Sequence, residues 1–370
     1  MPPMSMMIKP VSGSCNMRCH YCFYSDVANH REMRNYGKMD SDTMRTLIRK
    51  AFIYAEGNVS FAFQGGEPTL AGIDFFREFV RNVSQCNTRH IPVSFAVQTN
   101  GYDLSDELCQ FFADHHFLAG VSVDGAKEIH NALRPDSAGA GSYDQVMTGI
   151  EKLKHHGVEY NILCVVTAPI AAQGKRVWQE LKRHQYLQFI PCIDEFGGML
   201  HDYSLTPEAY GQFLIDTFSC YAEDYASGHP VSERRFDNYL SILLGQQPEL
   251  CGMRGMCGLY FLAEADGSIY PCDFYVLDEW KLGNVKSDSF FKMEKSAASR
   301  KFRSISLQLP DTCKKCIWLN LCHGGCRRDR EPIINSHGSE NKFCKSYYMF
   351  FEACLPQMQK MAERISHHLK

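Results

Sequence analysis

From the start of the chain to about residue 230, short β-branched and aromatic runs alternate with amphipathic stretches. The runs Met6–Val11, Val59–Gln64, Val93–Thr99, Leu118–Val123, Tyr160–Thr167 and Leu187–Ile193 read as strands. Between them, Ser41–Ala55, Ile73–Ser84, Ser105–His115, Tyr143–His156 and Lys175–His184 carry apolar residues at helical spacing. Asp40 or Ser41 stands where the first helix needs a cap, and Gly157 follows the last turn of the fourth. Successive strand–helix units require crossovers, which predicts a parallel sheet covered on both faces. Two more units would be needed to close an eight-stranded barrel, and none is found. The expected fold is α/β, a partial, open (β/α)6 barrel resembling part of a TIM barrel.

Further along, Pro207–Ser227, Ser232–Leu244 and Tyr347–Leu369 read as helices, while the chain from Cys251 is loop-rich with short strands. This predicts a barrel over residues 1–230, a cysteine-rich domain over 231–345 and a closing helix over 346–370. Two loops look flexible: Asp136–Ser142, which is small and polar, and Glu195–Tyr203 after the sixth strand.

Composition narrows the setting. Hydrophobic and charged fractions of 45% and 22% are ordinary for a globular chain of 370 residues. A net charge of −3 without a basic block argues against nucleic acid as a partner. No signal-peptide layout and no membrane-length apolar run is found, so a cytoplasmic location is expected. Thiols stay reduced there, and a cysteine-rich chain reads as metal-binding before it reads as disulfide-bonded.

Eleven of the 17 cysteines fall into two spacing patterns. The first is Cys15-x3-Cys19-x2-Cys22. The second comprises Cys251, Cys257, Cys272, Cys313, Cys316, Cys322, Cys326 and Cys344. Three thiolates leave one iron of a four-iron cube open to another ligand, and eight complete two further cubes. Three 4Fe-4S clusters are therefore expected. Zinc is the competing reading of the first loop, but it wants a fourth ligand, and His20 lies awkwardly between two of the three. The remaining cysteines, Cys86, Cys109, Cys164, Cys192, Cys220 and Cys354, read as small buried hydrophobes. Three polar clusters sit at consecutive strand ends, where barrels of this kind build their sites: Gln64-Gly65-Gly66-Glu67-Pro68, Gln98-Thr99-Asn100-Gly101 and Ser122-Val123-Asp124-Gly125.

The first cysteine loop follows a strand, carries the aromatic Tyr21 before Cys22, and precedes Gly65-Gly66-Glu67-Pro68. In this it resembles the radical S-adenosylmethionine superfamily. The resemblance implies that the open iron binds the amino and carboxylate groups of S-adenosylmethionine, whose cleavage gives a hydrogen-abstracting 5′-deoxyadenosyl radical. Gly65, Gly66 and Glu67 match the motif that holds the methionine amino group. Ser122 and Asp124 match ribose contacts, Arg134 the partner of the methionine carboxylate, and Tyr21 and Ile193 the adenine lining.

The spacing Cys257-x9-Gly267-x4-Cys272, then Cys313-x2-Cys316-x5-Cys322-x3-Cys326 and Cys344, resembles the SPASM domain of peptide-modifying radical enzymes. By similarity Cys251, Cys257, Cys272 and Cys326 hold one auxiliary cluster, and Cys313, Cys316, Cys322 and Cys344 the other. Fully ligated clusters transfer electrons rather than bind substrate, which predicts a two-electron oxidation with a base nearby. Asp273, directly after Cys272, is the candidate, since burial beside an anionic cluster would raise its pKa.

Over essentially its full length the chain resembles anaerobic sulfatase-maturating enzymes. The matching segments are Cys15–Tyr24, Phe61–Gly72, the QTNG at 98–101, Glu128–Asn131, Asn161–Thr167 and Tyr270–Asp278. The resemblance implies oxidation of a sulfatase cysteine or serine to Cα-formylglycine, with Asp273 accepting the proton. Tyr24 then lies near the reacting carbon, and Gln64, Gln98 and Asn100 are candidate peptide contacts. Ile193 stands where leucine is usual, and the loop Glu195–His201 matches poorly. The implied partners are an unfolded sulfatase polypeptide and an electron donor such as flavodoxin or ferredoxin, acting on a monomer. Two other readings compete. One is a different SPASM-type peptide oxidation, cross-link or thioether formation. The other is an iron–sulfur electron carrier, which has no use for Gly66, Ser122 or Arg134.

Overall fold

The computed structural model describes residues 3–333 and 338–368. Ten strands occur among them: β1 (Met4–Ile8), β2 (Val59–Phe63), β3 (Val93–Thr99), β4 (Phe117–Ser122), β5 (Tyr160–Val166), β6 (Tyr186–Pro191), β7 (Ser232–Glu233), β8 (Phe261–Ala263), β9 (Ser268–Tyr270) and β10 (Gly283–Asn284). The sheet is open, not closed. The chain separates into two compact units, one of residues 1–122, 131–160 and 259–302, the other of residues 123–130, 161–258 and 303–370.

In the first unit β1, β2, β3 and β4 run parallel in that order, with Met6 opposite Phe61 and Phe61 opposite Phe95. Three of the short strands expected beyond Cys251, whose positions the hydrophobic pattern did not give, extend this sheet: β8 lies parallel to β1, and β9 and β10 continue antiparallel from it. At two or three residues each, β8, β9 and β10 are too short for period-two alternation to announce them. The first strand starts two residues earlier than expected and ends three earlier, at Ile8, short of Pro10, which lacks an N–H to continue the ladder. The other expected boundaries differ from the observed ones by one or two residues.

Alternate residues of β2 point into the core, where the Phe63 ring lies 5.2 Å from Phe76 and 4.8 Å from Phe79. Those two rings share the apolar face of the helix Ile73–Cys86. Asp40 caps the helix Ser41–Tyr54 through Thr43 N–H at 2.6 Å. The segment expected to be a flexible loop is instead a bound turn: Asp136 Oδ1 accepts from the N–H groups of Ala138 and Ala140, and Tyr102 Oη donates to Oδ2.

In the second unit β5, β6 and β7 run parallel. Ser232 and Glu233 were expected to open a helix but form β7, because the Glu233 carboxylate turns back to cap the helix Arg234–Leu243 at Arg235 and Phe236 N–H. That helix and Pro207–Ala226 pack on Cys344–His368 through Phe218, Phe236, Tyr239, Phe350 and Phe351. The last helix starts three residues earlier than its apolar pattern suggested, and Leu369, its expected end, lies outside the described residues. Cys109, Cys164, Cys192, Cys220 and Cys354 are buried as expected, whereas Cys86, at the end of its helix, is only half-buried. No helix among the described residues is long and apolar enough to cross a membrane.

Candidate active site

The segment after β1 turns through Pro10–Ser14 and carries Cys15, Cys19 and Cys22, none in a disulfide and all half-buried. Backbone bonds from Arg18 to Pro135 O and from His20 to Leu133 O clamp this loop, while the Met17 N–H and the Asn100 amide point at Cys15 Sγ at 3.4 and 3.8 Å. N–H groups aimed at a sulfur favour the thiolate a cluster needs. His20 is exposed.

The Gly65–Glu67 turn lies directly on that loop. Gly66 and Glu67 N–H donate to the carbonyls of Ser12 and Ser14, and a Cβ on Gly66 would stand 2.0 Å from Ser14 O. Only glycine fits there. Glu67 is buried, and burial raises its pKa, but its carboxylate accepts from Thr69, from Thr99 Oγ1 at 2.8 Å and from Asn100 N–H at 2.7 Å. It staples the ends of β2 and β3 together. Asn100 in turn donates to Asn16 Oδ1 at 2.7 Å, so its side chain braces the cysteine loop. Gln98 reaches Ser122 Oγ at 3.4 Å, and the buried Arg134 donates through Nη1 to Tyr21 Oη at 2.7 Å. The first unit thus brings together Tyr21, Gly65, Gly66, Glu67, Gln98, Asn100 and Arg134 around one cysteine loop.

Among residues of the second unit, Asp124 is fully buried and accepts from Val165 N–H at 3.0 Å, and Ile193 is half-buried just past β6. Seven of the eight later cysteines also lie there. Burial raises the thiol pKa values of Cys313, Cys322 and Cys344, and neighbouring thiols raise them further: Cys322 and Cys316 act on Cys313, Cys316 on Cys322, and Cys313 and Cys322 on Cys344. These four form one group. Cys257 is similarly influenced by Cys251, and Gly252 packs against Cys326, its missing Cβ only 3.5 Å from Cys326 Cβ. Cys316, Cys322 and Cys326 each accept a backbone N–H from two residues ahead at 3.4 Å. Among the described residues no three His, Cys, Asp or Glu side chains converge as ligands of a single metal ion. Donor sets made of thiols alone are what iron–sulfur clusters take.

Asp273 follows Cys272 in the first unit. Its Oδ2 accepts from Tyr24 Oη at 2.8 Å, while Oδ1 is buried without a hydrogen-bond partner among the described residues. Burial lifts its carboxyl to about 6, against the opposing pull of Lys9, Tyr24 and Gln64. Burial and then Asp273 itself hold the Tyr24 hydroxyl protonated, well above the usual phenol range. Sequence reasoning missed what stands behind this pair. Lys9, 2% exposed, lies 5.2 Å from the Tyr24 ring centroid and 2.8 Å from Glu264 Oε1, which Arg31 Nη1 also reaches at 2.8 Å. The one available signal was a charged residue placed immediately after each of two apolar strands, Ile8-Lys9 and Ala263-Glu264.

Comparison with known proteins agrees with this geometry. Residues 10–170 match the radical SAM superfamily, and residues 257–317 match the SPASM iron–sulfur cluster-binding domain. A cysteine-type anaerobic sulfatase-maturating enzyme of Clostridium novyi is 43% identical over 99% of both chains. A serine-type enzyme of Bacteroides thetaiotaomicron is 31% identical over 98% of this chain and 92% of its own. The solved structure of native anSMEcpe with bound AdoMet and a Cp18Cys peptide is similar at a TM-score of 0.94, with 39% identity over 98% of this chain and all of that one. The chain belongs to the anaerobic sulfatase-maturating enzymes, a family of radical S-adenosylmethionine enzymes with a SPASM domain.

Proposed function

We propose that this chain oxidises a cysteine in an unfolded sulfatase polypeptide to Cα-formylglycine, with Asp273 as the proton acceptor. The observation that carries the base assignment is the Tyr24–Asp273 bond of 2.8 Å on a buried carboxyl that burial lifts to about 6. Cysteine is favoured over serine by the gradient of likeness, 43% to a cysteine-type relative against 31% to a serine-type one.

The cofactors are S-adenosylmethionine and three 4Fe-4S clusters. Cys15, Cys19 and Cys22 would hold the first cluster, Cys251, Cys257, Cys272 and Cys326 the second, and Cys313, Cys316, Cys322 and Cys344 the third. When bound, these groups supply a hydrogen-abstracting 5′-deoxyadenosyl radical and a one-electron acceptor. The chain's own residues do the rest. Arg134, aligned by Tyr21, pairs with the methionine carboxylate, and the Gly65–Glu67 turn takes the amino group. Ser122 and Asp124 face the ribose, and Ile193 lines the adenine. Gln64, Gln98 and Tyr24 orient the peptide. After Cβ loses a hydrogen atom, Asp273 takes the thiol proton as one electron leaves. The resulting thioaldehyde exchanges sulfur for water oxygen to give the aldehyde. A flavodoxin- or ferredoxin-type carrier supplies the initiating electron in the cytoplasm, and the enzyme acts as a monomer.

The test is anaerobic incubation of reconstituted enzyme with matched Cys- and Ser-containing sulfatase peptides, read by mass spectrometry. Formylglycine is expected from the Cys peptide at the higher rate. A cross-linked or thioether product in place of the aldehyde would overturn the reading.

A further inference from the structure

Three charged side chains meet behind the Tyr24–Asp273 pair: Lys9, Arg31 and Glu264. Lys9 and Glu264 are 2% and 0% exposed, and the Arg31 guanidinium is equally enclosed. Burying charge is costly unless the partners balance, so the count matters. Arg31 and Glu264 alone make a neutral pair. Burial works against ionising Glu264, yet Lys9 and Arg31 together hold its pKa below the ordinary range, so it is a carboxylate. Lys9 is then a second cation on Glu264, and its ammonium also faces the Tyr24 ring.

Geometry gives the extra cation a place. Lys9 follows β1 and its N–H donates to Ala263 O at 2.9 Å, which fixes its backbone against the end of β8. Its stem lies across Gly65, where a Cβ would come within 2.9 Å of Lys9 Cγ and 3.0 Å of Cε. The ammonium is thereby held between Glu264 and the face of Tyr24, 5.2 Å from the ring centroid. A desolvated ammonium over an aromatic face is attractive and orients the ring.

We infer that Lys9 is a positioning residue for the oxidation, locking the Tyr24 ring so that its hydroxyl points at Asp273. The inference rests on the function proposed above. It also gives Gly65 a second duty, as the gap through which the Lys9 stem passes.

Lys9→Met tests this, because the variant keeps the stem and leaves Arg31 and Glu264 as a balanced pair. Reconstituted Lys9→Met should bind and cleave S-adenosylmethionine as wild type does. Its yield of formylglycine per 5′-deoxyadenosine should fall on the order of tenfold to a hundredfold, the range for a misplaced catalytic group. Lys9→Arg should recover part of that coupling. A second readout needs no turnover: with 3-fluorotyrosine at position 24, the fluorine resonance should shift and broaden in Lys9→Met. If Lys9→Met fails to take up iron, Lys9→Gln is read the same way. Wild-type coupling in Lys9→Met, or an unmoved resonance, overturns the inference. So does an equal loss of 5′-deoxyadenosine and formylglycine, which marks a structural role only. A wild-type enzyme that makes no formylglycine fails the functional reading instead, and the resonance still decides the role of Lys9.

Discussion

Tyr24 Oη donates to Asp273 Oδ2 at 2.8 Å across 249 positions of sequence, joining the first cysteine loop to the residue after a SPASM cysteine. Tyr24 lies two residues after Cys22 and Asp273 directly after Cys272, the cysteines proposed as cluster ligands. One hydrogen bond therefore connects the place where the radical would arise to the place where the proton would go.

If Asp273 is the base, Asp273→Asn should still produce 5′-deoxyadenosine while formylglycine falls roughly 10²–10⁴-fold. Deuterium placed at the target Cβ should appear in 5′-deoxyadenosine with either enzyme. Full formylglycine yield from Asp273→Asn would reject the base assignment, and absence of the label would reject Cβ as the site of attack.

Three cubane clusters set the iron content. Anaerobically reconstituted protein should carry about twelve irons and as many sulfides per chain, and replacing Cys15, Cys19 and Cys22 with Ala should remove about a third of them. Iron near four per chain in the intact protein would contradict the two auxiliary clusters.

Arg134 and Tyr21 separate binding from alignment. Arg134→Ala should weaken S-adenosylmethionine binding by roughly 1.5–3 kcal/mol, the cost of a hydrogen bond to a charged group. Tyr21→Phe removes only the 2.7 Å contact that aims the guanidinium and should cost less, about 1 kcal/mol. Equal binding by Arg134→Ala and wild type, measured calorimetrically, would remove Arg134 from the site.

Gly66→Ala places a methyl 2.0 Å from Ser14 O, in backbone that cannot yield without moving the cysteine loop. The expected result is a loss of roughly 1–3 kcal/mol in stability, with preferential loss of the first cluster's iron. Wild-type iron content and melting temperature would show that the loop is not held there.

Glu233 gives a pH signature of its own. Burial raises its pKa from 4.5 to about 7, although Phe189, Arg235 and Phe236 N–H all donate to it. The folded state therefore holds this proton more tightly than the unfolded state does. Its contribution is complete below pH 4.5 and is lost as pH rises through about 7, at most about 3 kcal/mol in all. Denaturation of the apo-protein between pH 5 and 8 should show that slope, and Glu233→Gln should flatten it. An unchanged slope in the variant would place the proton elsewhere.

Local features were legible along the chain. Alternation and helical spacing marked the long strands and helices to within three residues, because each long element buries one face and the period of its apolar residues records that burial. The tight spacing of Cys15, Cys19 and Cys22 pointed to the radical SAM superfamily, which residues 10–170 match. Distant partnerships left no such trace. Nothing near Lys9 in sequence points to Glu264, and nothing near Tyr24 points to Asp273; β8 and β9, only three residues each, bring those partners in by pairing beside β1. The contacts of the Asn100 side chain with Asn16 and Cys15 likewise left no trace in the sequence. A sequence reports which face of an element is buried. Which charge balances which, inside that burial, is decided when separate segments exclude water together and unpaired ions become too costly to keep.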